Sequence, residues 1–146
     1  MKQTFHLPLW SVILSIFMWL LPFVFIGAMM VYGMTFLVIA LLVLPINIYF
    51  TLIMPRYTLV NDDSIQVILV SGKRLCFDRK LCRVTPIDKS YLSGSVRTFG
   101  SWGFMGFTGF YDSRKNGNYK LYLINQKDLC LIEDEKGKKF VINLKV

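Results

Sequence analysis

The chain has 146 residues, 54% of them hydrophobic, with a formal net charge of +8 and a mean hydropathy of +0.49. That length allows one ordinary domain or a small domain with a membrane anchor, and the hydropathy is high for a soluble protein. One histidine and three cysteines without a CxxC pair argue against zinc and fit reduced thiols in a reducing compartment, with a Cys76–Cys82 disulfide as the alternative outside the cytosol.

Between Lys2 and Arg56 there is no Asp, Glu, Lys or Arg. A spanning helix needs roughly 20 apolar residues, so this stretch is long enough for two. The first is expected near Trp10 to Val31 and the second near Thr35 to Met54, joined by a tight turn at Tyr32-Gly33-Met34. Pro8 suits the start of the first helix and Pro55 ends the second. A cleaved signal peptide would need a shorter apolar run and a small-residue cleavage site, and neither is present. Lys2 on one flank, and Arg56, Lys73 and Arg74 on the other, predict that both termini face the cytoplasm. Pro22 and Pro45 each remove a backbone donor and are expected to kink their spans. Ser11 and Ser15 lie one turn apart and are placed to bond across to the second helix, and Asn47 is a further polar group inside the bilayer.

From Arg56 the hydrophobic period changes to two. Ile65, Val67 and Leu69 should face one way while Gln66, Ile68 and Val70 face the other. Further strands are expected at 57–60, 74–77, 104–111, 119–124, 129–133 and 139–144, the last four forming an antiparallel meander. Asn116-Gly117 is the strongest hairpin signal. This pattern predicts a transmembrane α-helical hairpin over 1–55 and an all-β domain over 56–146, built as a small antiparallel barrel or sandwich.

Residues 97–111 read RTFGSWGFMGFTGFY, with Gly100, Gly103, Gly106 and Gly109 at every third position. Collagen, dinucleotide-binding and P-loop readings fail on proline content, spacing and the missing G-K-[ST]. A KH-type GxxG clamp would sit between helices that are not predicted here. The glycines therefore read as backbone devices that let one strand bend sharply, with aromatics filling the barrel. Trp102 and Phe104 have a second option, dipping from a loop into the membrane interface.

The segments YTLV-NDDS at 57–64 and RTFGSWG at 97–103, the latter running on through Gly106 and Gly109, resemble bacterial pleckstrin-homology (PH)-like domains. The resemblance covers roughly residues 57 to 144. It implies two near-orthogonal sheets, frequently fused to membrane helices. The C-terminal helix usual in that family has no counterpart, because Val146 follows the last predicted strand at once. Lys73 and Arg74 only partly echo the phosphoinositide-binding loop of eukaryotic relatives, and that activity is not carried over.

Two functions follow as expectations. One is a membrane-anchored binding or scaffold module at the cytoplasmic face, with Lys73, Arg74, Arg79, Lys80 and Arg83 as a basic cluster toward anionic lipid or a protein partner, and Trp102 as a further contact. The other is an accessory subunit of a membrane complex, contacted through small residues such as Gly27, Ala28, Gly33 and Ala40. A homo-oligomer is a further option for the partner, and it disfavours the subunit reading. No nucleophile–base pair, metal spacing or cofactor motif supports an enzyme, and tethering to a bilayer disfavours nucleic acid.

Overall fold

A computed structural model describes residues 1–145, without the side chain of Trp102. In chain order the elements are β1 (Lys2–Gln3), α1 (Leu9–Tyr32), α2 (Thr35–Ile53), β2 (Pro55–Val60), β3 (Ser64–Leu69), β4 (Arg74–Asp78) and β5 (Arg83–Ile87). A 3-10 turn (Lys89–Leu92) precedes β6 (Val96–Gly103), β7 (Gly106–Asp112), β8 (Tyr119–Leu123), β9 (Leu129–Glu133) and β10 (Lys139–Asn143).

α1 and α2 have 24 and 19 residues, or about 36 and 28 Å at about 1.5 Å per residue. Both are long and apolar enough to cross a membrane. Gly33 turns the chain between them at φ +91°. Pro22 leaves the Met18 carbonyl without its usual intrahelical donor. Asn47 of α2 supplies one, donating from Nδ2 to Met18 O at 2.7 Å. Asn47 is fully buried, and its Oδ1 is the one buried side-chain polar atom without a partner among the described residues.

The strands form two sheets, ordered β1-β2-β3-β4 and β5-β9-β10-β8-β7-β6. Ile65, Val67 and Leu69 face inward together, as their period predicts, and meet Cys130, Ile132 and Ile142 of the larger sheet. The opposite face of that sheet carries a second core of Phe107, Tyr111, Leu121, Leu123 and Val141, with Leu92 of the 3-10 turn packed onto it. Alternation along each strand serves both cores: Leu129 and Val141 face one, their neighbours Cys130 and Ile142 the other.

Three sequence expectations are corrected. First, the last strands are not a meander. β10 lies between β8 and β9, parallel to β8 and antiparallel to β9. The β8–β9 connection therefore arches over the end of β10. Asn143 at that end holds the arch: its Oδ1 accepts the Ile124 N–H at 2.7 Å, and its Nδ2 donates to Lys127 O at 2.6 Å. Second, residues 104–111 are not one bent strand. Phe104 and Met105 form a two-residue turn, Met105 at φ +53°, and β6 and β7 pair on either side. Third, the N-terminal residues do not belong to the helical hairpin alone. β1 pairs with β2, and the Gln3 side chain exchanges two hydrogen bonds with the backbone of Lys145 at 2.8 and 3.0 Å.

Candidate membrane-facing surface

A helix leaves its last carbonyls without intrahelical donors. At the end of α2 two of these requirements are met by the turn after β3. Val70 N–H donates to Met54 O at 2.9 Å and Ser71 N–H to Leu52 O at 3.1 Å. The β domain is thus fastened by backbone to the last turn of α2.

α1 is fastened by side chains to the tip of the β6–β7 hairpin. Ser11 Oγ donates to the Gly103 carbonyl. Ser15 Oγ accepts the Met105 N–H at 2.9 Å and donates to Ser11 O at 2.7 Å. The two serines share a face, as their spacing predicts, but they meet the β hairpin and not α2. Aromatic contacts complete the joint. Trp10 lies edge-on to Phe107 at 5.7 Å, Phe50 meets Phe104 at 6.3 Å, and Phe99 sits 6.0 Å from Phe50.

This joint explains the three-residue glycine period. Gly103 pairs with Gly106 and Gly100 with Gly109, so the four positions are two cross-strand pairs reflected about the turn. At Gly100, with φ +137°, a Cβ would lie 2.0 Å from Thr108 O and 2.6 Å from the Gly109 Cα. Gly109 mirrors this, its Cβ position 2.1 Å from Phe99 O. The backbones approach too closely for any side chain there. At Gly103 the space a Cβ would take is filled by the Trp10 ring, 2.2 Å away. Phe104, one of the two residues expected either in the core or in the interface, is buried at the tip against Phe50. The Trp102 side chain lies outside the described residues.

The five basic residues form two groups. Lys73 and Arg74 follow the turn docked on α2, so they lie at the helix end of the β domain. Arg79 and Lys80 lie beyond the other end of β4, roughly 16 Å away at about 3.3 Å per residue. There Lys80 pairs with Asp63 at 3.5 Å, both side chains well exposed, and Arg83 opens β5 opposite Glu133. An exposed pair of this kind contributes little. Of the small residues in the helices, Ala40 is buried, while Gly27 has open space where a Cβ would go.

Two further lysines border one hollow of the larger sheet, Lys120 on β8 and Lys138 in the turn before β10. Lys120 is half-buried, its Nζ 4.6 Å from the Phe110 ring centroid and 6.0 Å from that of Phe140. Lys138 lines the same hollow. Their approach depends on β10 lying beside β8, which the residue pattern does not reveal.

Burial, then the nearby Asp134, Asp78 and Glu135 carboxylates, pushes the Cys82 thiol up, and burial pushes up Cys130, which donates to Leu144 O. Raised thiol pKa values disfavour the nucleophilic thiolate. The three cysteines are free. Burial also raises Tyr111 to about 12. Among the described residues no three His, Cys, Asp or Glu side chains gather in a way that could hold a metal ion. No protein-family model, curated protein or solved structure matches the chain.

Proposed function

We propose that this chain is a membrane-anchored binding module: a two-helix hairpin in a bacterial inner membrane holds a PH-like β domain against the cytoplasmic face. One observation carries the reading. Backbone bonds at α2 and serine bonds at α1 fix the β domain to a single end of the hairpin, with β1 on that same end. Such a joint presents one domain surface at a constant height above a bilayer. Lys73 and Arg74 at that end agree with a cytoplasmic face. The antiparallel β2-β3-β4 sheet and the glycine–aromatic hairpin support a PH-like fold, while the parallel β8/β10 pair departs from the meander the resemblance implies. The module acts by binding, and no catalytic step is assigned to it.

Thiol labelling in intact cells tests the placement. Cys76→Ser and Cys82→Ser remove the accessible thiols, and Cys130→Ala suits its core position. Asn118→Cys then places one thiol on the exposed β7–β8 connection. An impermeant reagent should label it only after lysis. Labelling in intact cells would put the domain outside and refute the cytoplasmic reading.

A further inference from the structure

We infer that the open flank of the β domain holds one anionic phospholipid from the adjacent leaflet, its phosphate between Lys120 and Lys138 and an acyl chain along an aromatic floor beginning at the end of α2. This inference rests on the membrane reading above and gives that reading a ligand.

The floor follows from strand register. Phe99, Phe110, Lys120 and Phe140 are successive partners across β6, β7, β8 and β10, so they lie in one row on one face. Farther along the row, Ile132 is fully buried beneath the smaller sheet. That sheet covers the row only as far as Phe140, where Phe77 packs at 5.1 Å. Beyond its edge strand β4 the floor lies open. Phe99 is 52% exposed and Phe110 48%.

Two hollows follow this open strip. One, of about 220 Å³, is walled by Tyr49 and Ile53 of α2 with Lys73, Phe99 and Tyr122. The next, of about 410 Å³, is walled by Thr98, Lys120, Lys138 and Phe140. Phe110 belongs to both walls, so they adjoin. The track therefore starts at the last turn of a membrane helix and ends among lysines.

Charge selects the occupant. Neither hollow has an Asp or Glu in its wall. Lys120 stands over aromatic faces, and the one ion pair among the described residues, Lys80–Asp63, does not involve it. A partly desolvated ammonium without a carboxylate favours an arriving anion. The hollow on the other side of Phe140 sets Asp78, Asp134 and Glu135 against Arg74, Lys136 and Lys138, so it offers an anion no net positive charge. A free phosphate would leave the aromatic floor uncovered. A phospholipid uses both parts and is supplied where the track begins.

The test uses the full chain in phosphatidylcholine vesicles doped with a phosphatidylglycerol or a phosphatidylcholine probe, each carrying a photoreactive acyl chain, with labelled peptides mapped by mass spectrometry. The anionic probe should label β7–β8 peptides as well as the helices, and the neutral probe the helices alone. Lys120→Gln with Lys138→Gln should lower β7–β8 labelling about tenfold or more. Arg79→Gln with Lys80→Gln, the same loss of charge, should leave it unchanged. Lys120→Met keeps the stem over Phe110 and serves if the double variant misfolds. Helix labelling without β7–β8 labelling overturns the lipid site, as does equal labelling by both probes or indifference to the lysines. Competition by inorganic phosphate would reveal an anion site without a chain and also overturn it. Helices unlabelled by either probe would refute the membrane reading itself.

Discussion

α1 reaches the β domain through side chains, whereas α2 adds backbone hydrogen bonds to its aromatic contacts. Ser11, Ser15 and Trp10 supply the first joint, and the Leu52 and Met54 carbonyls the second. The backbone joint satisfies helix-end acceptors that need donors whatever residues surround them. The side-chain joint exists only because particular residues stand opposite a hairpin tip where Gly103 leaves room for the Trp10 ring. One is generic and hard to remove by substitution; the other is specific and vulnerable at single positions.

The largest effect is expected where that tip is built. Gly100→Ala would place a Cβ 2.0 Å from a backbone oxygen in a conformation that L side chains rarely adopt. Neither strand can yield without losing register. We expect about 4 kcal/mol of destabilisation, read as a lower denaturation midpoint in detergent. Proteolysis should show the α1 joint released before the α2 joint. Gly117→Ala, at φ +69° with open space around it, should cost only about 1 kcal/mol. Equal effects at the two glycines would refute the close-approach account.

The contrast between the joints also shows what the residue pattern could carry. The hairpin was legible because a charge-free stretch this long has few other uses, and Gly33 marks its turn and Pro55 its end. The alternation of Ile65, Val67 and Leu69 placed β3 correctly. The glycine period announced a backbone device, yet its mirror symmetry about Phe104-Met105 was the missed sign of a hairpin. β5 was hidden because Pro86 weakens a strand signal, and proline is tolerated there at a sheet edge. The place of β10 was illegible for a different reason. Strand order is set by long-range fit and by the Asn143 clasp on the arch, not by any local preference. The lysine-lined hollow depends on that order, so it stayed hidden too, while the basic cluster seen in the sequence separates to two ends of β4.

A smaller effect separates the joints directly. Ser11→Ala with Ser15→Ala removes the donor to the Gly103 carbonyl and the acceptor for the Met105 N–H. Gly103 is buried and its carbonyl keeps Gly106 across the turn while losing the serine donor, and the Met105 N–H loses its acceptor. We expect about 2 kcal/mol in the same denaturation assay. Val70→Ala with Ser71→Ala, at the other joint, should change stability by no more than about 0.5 kcal/mol, because those residues act through their N–H groups. Val70→Pro, which deletes a donor, should cost more than both alanines together. A large loss on Ser71→Ala alone would erase the distinction between the joints.

The smallest effect lies between the two apolar helices, where a proline makes a backbone group depend on a side chain. The Met18 carbonyl has no donor at Pro22 and takes the Asn47 amide instead. Asn47→Leu would remove that donor, but it would also remove the buried Oδ1 that lacks a partner. These changes oppose each other, so the net loss should be only about 1 kcal/mol. Pro22→Ala restores an N–H at position 22 and lets α1 satisfy Met18 by itself. In that background Asn47→Leu should be neutral or stabilising, since only the unpartnered oxygen is lost. The coupling from a double-mutant cycle should therefore be about 1 kcal/mol. Additive effects would mean that Asn47 packs between the helices without serving the gap left by Pro22. Coupling of the expected sign would place the helix–helix contact with the α1 joint, as a specific side chain standing in for a backbone partner that the sequence has removed.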